Sequence, residues 1–102
     1  MNVSEAHDLA GSALFVDVRE PYEFAAGHIR GSLHIPMTQI PERWEEIETD
    51  APIVVVCHLG QRSAIVAEFL QSRGVPAQNL EGGLEEWARH GLELTSPELG
   101  PG

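Results

Sequence analysis

A single cysteine stands in the 102-residue chain, at the head of Cys57-His58-Leu59-Gly60-Gln61-Arg62-Ser63. It follows the most apolar stretch, Ile53-Val54-Val55-Val56, and precedes a segment with helical periodicity. That placement suits a nucleophile. Ligands of open α/β sheets bind at the carboxyl ends of strands. The first N–H groups of a following helix have no partner inside that helix. A loop curling around Cys57 turns those donors inward and makes an anion cradle. The same field favours thiolate over thiol and so activates the cysteine. Gly60 supplies the backbone freedom for a tight turn. Arg62 adds a permanent positive charge near the mouth. The plainer reading is a buried structural cysteine. The position after a strand and before a glycine turn favours the reactive one. His58 either tunes the thiolate and meets substrate or points into solvent; the sequence leaves both open.

Other chemistry-bearing residues have blander roles. Asp17, Arg19 and Glu23 have the types needed for acid–base work. Attack by an activated thiolate needs no strong general base, and an Arg–carboxylate pair at a strand end can hold the neighbouring loop. All three are therefore assigned to structural support. His7 and His90 fall on solvated helix faces, His28 in a turn and His34 in a strand. No His-x-x-x-His pair or Cys/His cluster occurs, so no metal is expected. Trp44 and Trp87 sit at helical spacing with other apolar residues and read as core. The acids Glu42, Glu45, Glu46, Glu48 and Asp50 read as a solvated helix face, with a docking patch for a basic partner as the alternative.

The elements that must position Cys57 alternate between strand-like and helix-like. Ser4 reads as the N-cap of a first helix carrying Ala6, Leu9 and Ala10, stopped by Gly11. Ala13 to Val18 reads as a strand buried on both faces. Pro21 opens a short helix that Gly27 ends. Ser32 to Ile35 is a short strand. Pro41 opens a helix over Glu42 to Glu48, with Trp44 and Ile47 on one side. Ile53 to Cys57 is the central strand. Arg62 to Arg73 is the longest helix, with Ile65, Val66, Phe69 and Leu70 as its apolar stripe and Gly74 as C-cap. Ala77 to Leu80 is a strand, and Leu84, Trp87 and Ala88 mark a last helix ended by Gly91. The order predicts an α/β fold: a small, mostly parallel central sheet with helices on both faces. Residues 1–93 form one domain and residues 94–102, rich in proline and glycine, a flexible tail.

Composition narrows the function. Sixteen acids against six bases give a net charge of −10. Such a chain repels phosphate backbones, so neither nucleic acid nor an anionic membrane is expected as partner. All six bases are arginine, which removes Schiff-base chemistry. One cysteine forms no internal disulfide. The longest apolar run, Ile53 to Cys57, is far too short to span a bilayer. Acids stand near the N-terminus where a signal peptide carries positive charge. A reducing cytoplasm is the expected location.

Three motifs in order and spacing resemble the rhodanese homology domain in its single-domain sulfurtransferase form. The first is Asp17-Val18-Arg19-Glu20, with Glu23, Gly27-His28-Ile29, Gly31 and Pro36. The second is Cys57 to Arg62 with Ser63. The third is Leu80-Glu81-Gly82-Gly83 with Trp87 and Gly91. The resemblance covers Val3 to Gly91. Arg30 departs from it where proline is frequent, and His58 where arginine is common in thiosulfate-using members. The resemblance implies a ping-pong sulfur transfer through a persulfide on Cys57. The donor is thiosulfate or a related small anion. The acceptor is cyanide, a thiol or a sulfur-carrier protein. It implies no metal or organic cofactor, and it supports Asp17, Arg19 and Glu23 as structural. Backbone N–H groups from His58 through Leu59, Gly60, Gln61 and Arg62 to Ser63 would bind the anionic sulfur. Two alternatives stand beside this reading. One is a cysteine phosphatase or arsenate reductase, whose thiolates sit in similar cradles. The other is a non-catalytic rhodanese-like binding module.

Overall fold

The alternation of side chains along a strand explains why the two central strands are apolar throughout. In the computed structural model, which describes residues 1–96, β1 spans Leu14–Asp17 and β3 spans Ile53–Val56. Val16 faces one side of the sheet, together with Ile53, Val55 and Cys57. Phe15, Val54 and Val56 face the other. Each side is a separate core, so neither strand has a solvent face to make polar. β2 (Leu33–His34) and β4 (Ala77–Asn79) flank them, in the order β2-β1-β3-β4, and every pairing is parallel. The sheet thus pairs Asp17 with Val56, which brings the ends of β1 and β3 level.

Helices cover both faces. α1 (Val3–Asp8) and α5 (Gly83–Arg89) bury Val3, Ala6, Leu84 and Trp87 against one side. α4 (Gln61–Ser72) buries Val66, Ala67 and Leu70 against the other, beside Ile40 and Ile47. α2 (Pro21–Ala26) sits at the carboxyl end of β1. Among the described residues, no helix is long and apolar enough to cross a membrane.

Four local expectations change. The N-cap of α1 is Asn2, not Ser4. Its side chain accepts from the Glu5 N–H at 2.8 Å while Glu5 accepts from the Asn2 N–H at 3.0 Å; Ser4 has His7 three residues on and cannot close such a box. The helix expected over Glu42 to Glu48 is instead α3 (Ile40–Arg43), between 3-10 turns at Met37–Gln39 and Trp44–Glu46. Glu45, Glu46 and Glu48 crowd what would be its last turn, where the helix dipole disfavours negative charge. Ile65 is 59% exposed, because the buried ridge of α4 runs through Ser63, Val66, Ala67 and Leu70. The start of the expected tail is docked. Thr95 exchanges hydrogen bonds of 2.8 and 2.7 Å with His28, and Ser96 is buried. Residues 97–102 of that segment lie outside the described residues.

Candidate active site

Cys57 is the first residue after β3 and is fully buried. The loop after it must turn sharply into α4. Gly60 makes that turn at φ +99°, as the residue before the first helical position. A side chain there would press on the Gly82 N–H and the Leu80 carbonyl, so both φ and space require glycine. The N-terminus of α5 holds the loop from the other side. Leu84 N–H donates to the Cys57 carbonyl and Glu85 N–H to the His58 carbonyl, both at 3.0 Å. Gly83 permits this approach: a Cβ on it would collide with both carbonyls. The Cys57 and His58 carbonyls are thereby held toward α5, while the Gly60 carbonyl accepts from Asn79 Nδ2.

The sulfur receives N–H groups of the loop and of α4. Gly60 N–H donates to Cys57 Sγ at 3.1 Å, Ser63 N–H at 3.3 Å, and the Ser63 hydroxyl lies at 3.2 Å. Burial pushes the thiol's pKa up. The Ser63 hydroxyl and the amides of Ser63, Gly60 and Leu59 outweigh burial and hold it below the ordinary value. A recess of ≈ 70 Å³ opens above the sulfur, lined by Cys57, His58, Leu59, Gln61 and Arg62. It is far smaller than the roughly 300–1,000 Å³ of a ligand pocket, so only the thin end of a reactant reaches the sulfur. The larger groove, ≈ 570 Å³, lies elsewhere, by His7, Ile29, Arg30 and Trp87.

Each residue singled out in the sequence has a definite place. His58 is exposed and lines both the recess and a neighbouring groove of ≈ 500 Å³ that also touches Arg19, Leu84 and Arg89. Leu59 and Gln61 are exposed at the rim. Arg62 is gripped from α2: its Nη1 and Nη2 donate to the two carboxylate oxygens of Glu23, at 2.8 and 3.0 Å. That fork holds the Glu23 carboxyl down at about 2, against burial, and raises Arg62 further above its ordinary range. Glu23 also accepts from the Glu20 N–H at the head of α2. Asp17 and Arg19 form a separate buried pair. Arg19 Nε and Nη2 donate to Asp17 at 3.0 and 2.9 Å, and Nη2 also donates to the Gly27 carbonyl. The Arg19 carbonyl in turn accepts from His34 Nε2, whose ring stacks on Phe24. The two ion pairs thus fix α2 beside the loop from different sides.

Sequence reasoning missed Asn79. It ends β4, its Nδ2 donates to the Gly60 carbonyl at 3.1 Å, and its Oδ1 lies 2.5 Å from the Ser63 hydroxyl. The Glu23–Arg62 fork, across 39 residues, was also not legible; only the placement of Arg62 near Cys57 was. The third motif did carry a signal for the α5 contact, through Gly82-Gly83.

The sequence and the fold have known relatives. Residues 2–90 match the family described as the Rhodanese-like domain. A protein named "Sulfurtransferase" from Allochromatium vinosum is 43% identical over 86 residues, covering 83% of this chain and 80% of that one. "Thiosulfate sulfurtransferase GlpE" from Stutzerimonas stutzeri is 36% identical over 88 residues, covering 84% and 80%. The crystal structure of a rhodanese-related protein from Thermoplasma volcanium superposes with a TM-score of 0.89 at 33% identity, covering 93% and 95% of the two chains. A four-stranded parallel sheet that presents one buried cysteine to the Gly60 and Ser63 amides, with this family match over almost its whole described length, makes the chain a member of the rhodanese-like domain family.

Proposed function

We propose that the protein is a sulfurtransferase that moves a sulfane sulfur through a persulfide on Cys57. The observation that carries the reading is the set of three donors around Sγ: Gly60 N–H, Ser63 N–H and the Ser63 hydroxyl. They favour the thiolate that begins the reaction. Backbone N–H groups of the loop and of the head of α4 would then stabilise the charge that a persulfide places on its outer sulfur.

With thiosulfate as donor, a lone pair of the Cys57 thiolate attacks the outer sulfur. A new S–S bond forms, the donor's S–S bond breaks, and sulfite leaves with the electron pair. An acceptor then attacks the outer sulfur of the persulfide. The S–S bond to Cys57 breaks, its electron pair returns to Sγ, and the thiolate is restored. Cyanide leaves as thiocyanate; a thiol or a sulfur-carrier protein would leave as a persulfide. Donor and acceptor balance the electrons, so the cycle calls for no cofactor. A single free thiol suits a reducing cytoplasm.

Sulfur is favoured over phosphate by two features of the loop. Four residues separate Cys57 from Arg62 where cysteine phosphatases have five, so the ring closes around a smaller ligand. Arg62 Nη1 and Nη2 both donate to Glu23, so that fork is already occupied and is not free to clamp the oxygens of a phosphoryl group. Asp17, Arg19 and Glu23 act as supports for the loop and α2. The deciding assay sets thiosulfate–cyanide transfer against hydrolysis of an aryl phosphate, with Cys57→Ser as control. Sulfur transfer lost in the variant supports the reading. Phosphatase turnover lost in the variant, without sulfur transfer, overturns it.

A further inference from the structure

Ser63 has one hydroxyl proton and two neighbours that accept it. Cys57 Sγ lies 3.2 Å from its Oγ, and Asn79 Oδ1 lies 2.5 Å from it. The orientation of the Asn79 carboxamide is fixed by its other end. Nδ2 donates to the Gly60 carbonyl, which can only accept, so the oxygen must face Ser63. Flipping the amide would set two acceptors against each other at Gly60. Asn79 and Cys57 therefore compete for the same proton, and both are held in place by the same loop.

We propose that Asn79 is a positioning residue that acts on Cys57 through Ser63, by accepting the Ser63 hydroxyl proton whenever Sγ carries no charge. The inference rests on Cys57 alternating between thiolate and persulfide. In the thiolate, charge sits on Sγ and the hydroxyl turns to it. In the persulfide, Sγ is a neutral bridging sulfur and the charge sits on the outer atom. The hydroxyl then turns to Asn79 Oδ1. Without that second acceptor, a buried hydroxyl would lose its partner each time the enzyme is loaded. Ser63 is fully buried, so no bulk water replaces it. Asn79 thus evens out the two states of the sulfur rather than touching a reactant.

The titratable side chains around this corner are Tyr22 and Glu23 from α2, Arg62 in α4, His58 in the loop, Asp17 ending β1 with its partner Arg19, and Glu85 opening α5. The Met1 ammonium adds a charge on the Asn79 main-chain carbonyl. None is altered by substituting Asn79 or Ser63, so they cancel in a comparison of two backgrounds.

The test titrates the Cys57 thiolate by its absorbance near 240 nm, with Cys57→Ser as blank and no sulfur donor present. Its outcome is therefore independent of whether the protein transfers sulfur. Asn79→Ala releases the hydroxyl to Sγ. The midpoint should fall by about half a unit to one unit, a three- to tenfold gain in thiolate at fixed pH. In the Ser63→Ala background the same substitution should leave the midpoint unmoved. An unchanged midpoint, a rise, or an equal shift in both backgrounds overturns the proposal. If Asn79→Ala does not fold, Asn79→Asp decides. Its carboxylate draws the hydroxyl away, so the midpoint should rise more with Ser63 present than in Ser63→Ala. Equal rises overturn the proposal.

Discussion

Glu23→Gln removes the charge that grips Arg62 and keeps the shape of the side chain. The size of the loss follows from the carboxyl's own titration. Folding lowers it from 4.5 to about 2. At about 1.4 kcal/mol per unit, the linked stabilisation has a ceiling of about 3.4 kcal/mol. The Arg62 side chain is 36% exposed, so solvent screens the pair and the expected cost is about 1–2 kcal/mol. The sign fixes its pH dependence. A depressed carboxyl stabilises the fold fully above its unfolded value and loses that contribution as pH falls through the folded one. The gap between parent and Glu23→Gln should therefore be full at pH 7, shrink below 4.5 and close near 2. Urea unfolding followed by the fluorescence of Trp44 and Trp87 reads that gap at each pH. A gap of the same size at pH 7 and near pH 2, or none at pH 7, would refute the reasoning. Arg62, released from its carboxylate, should also offer more charge to an anionic donor. The KM for thiosulfate should fall at low salt, and a rise would count against that part.

Asp17→Ala strands Arg19 in a buried site and should cost about 3–5 kcal/mol of stability, seen as a lower urea midpoint, with kcat per folded molecule retained. A stable variant that lacks only activity would move the pair into the chemistry. Gly83→Ala drives a Cβ into the Cys57 and His58 carbonyls at φ +60°. It should cost about 1–3 kcal/mol and raise the Cys57 thiolate midpoint; an unchanged midpoint would show that α5 does not set the loop. One glycine inserted between Gly60 and Gln61 should enlarge the ring and depress thiosulfate–cyanide transfer at unchanged expression and fold. Full activity would remove loop length from the account.

The parts of the site that are local in sequence were legible. β3 showed itself because both its faces are buried, which leaves a continuous apolar run. Cys57 followed from the order strand, glycine turn, helix, since that order alone aims helix N–H groups at the residue after the strand. The contacts that needed the sheet order were not legible. Asn79 reaches Ser63 only because β4 pairs in parallel beside β3. Glu23 reaches Arg62 only because β1 and β3 end level and α2 follows β1. Ile65 misled because an apolar residue on a helix face says nothing of where the sheet lies. Asn2 and Ser4 are equally good capping types, and only Glu5, three residues after Asn2, separates them.

The central claim is that Cys57 itself carries the transferred sulfur. Intact-mass measurement after incubation with thiosulfate, before any acceptor is added, tests it most directly. The account predicts a gain of one sulfur atom that cyanide removes and that Cys57→Ser, folded as the parent, never shows. Thiosulfate–cyanide turnover by Cys57→Ser, or a sulfur gain that survives that substitution, would contradict it.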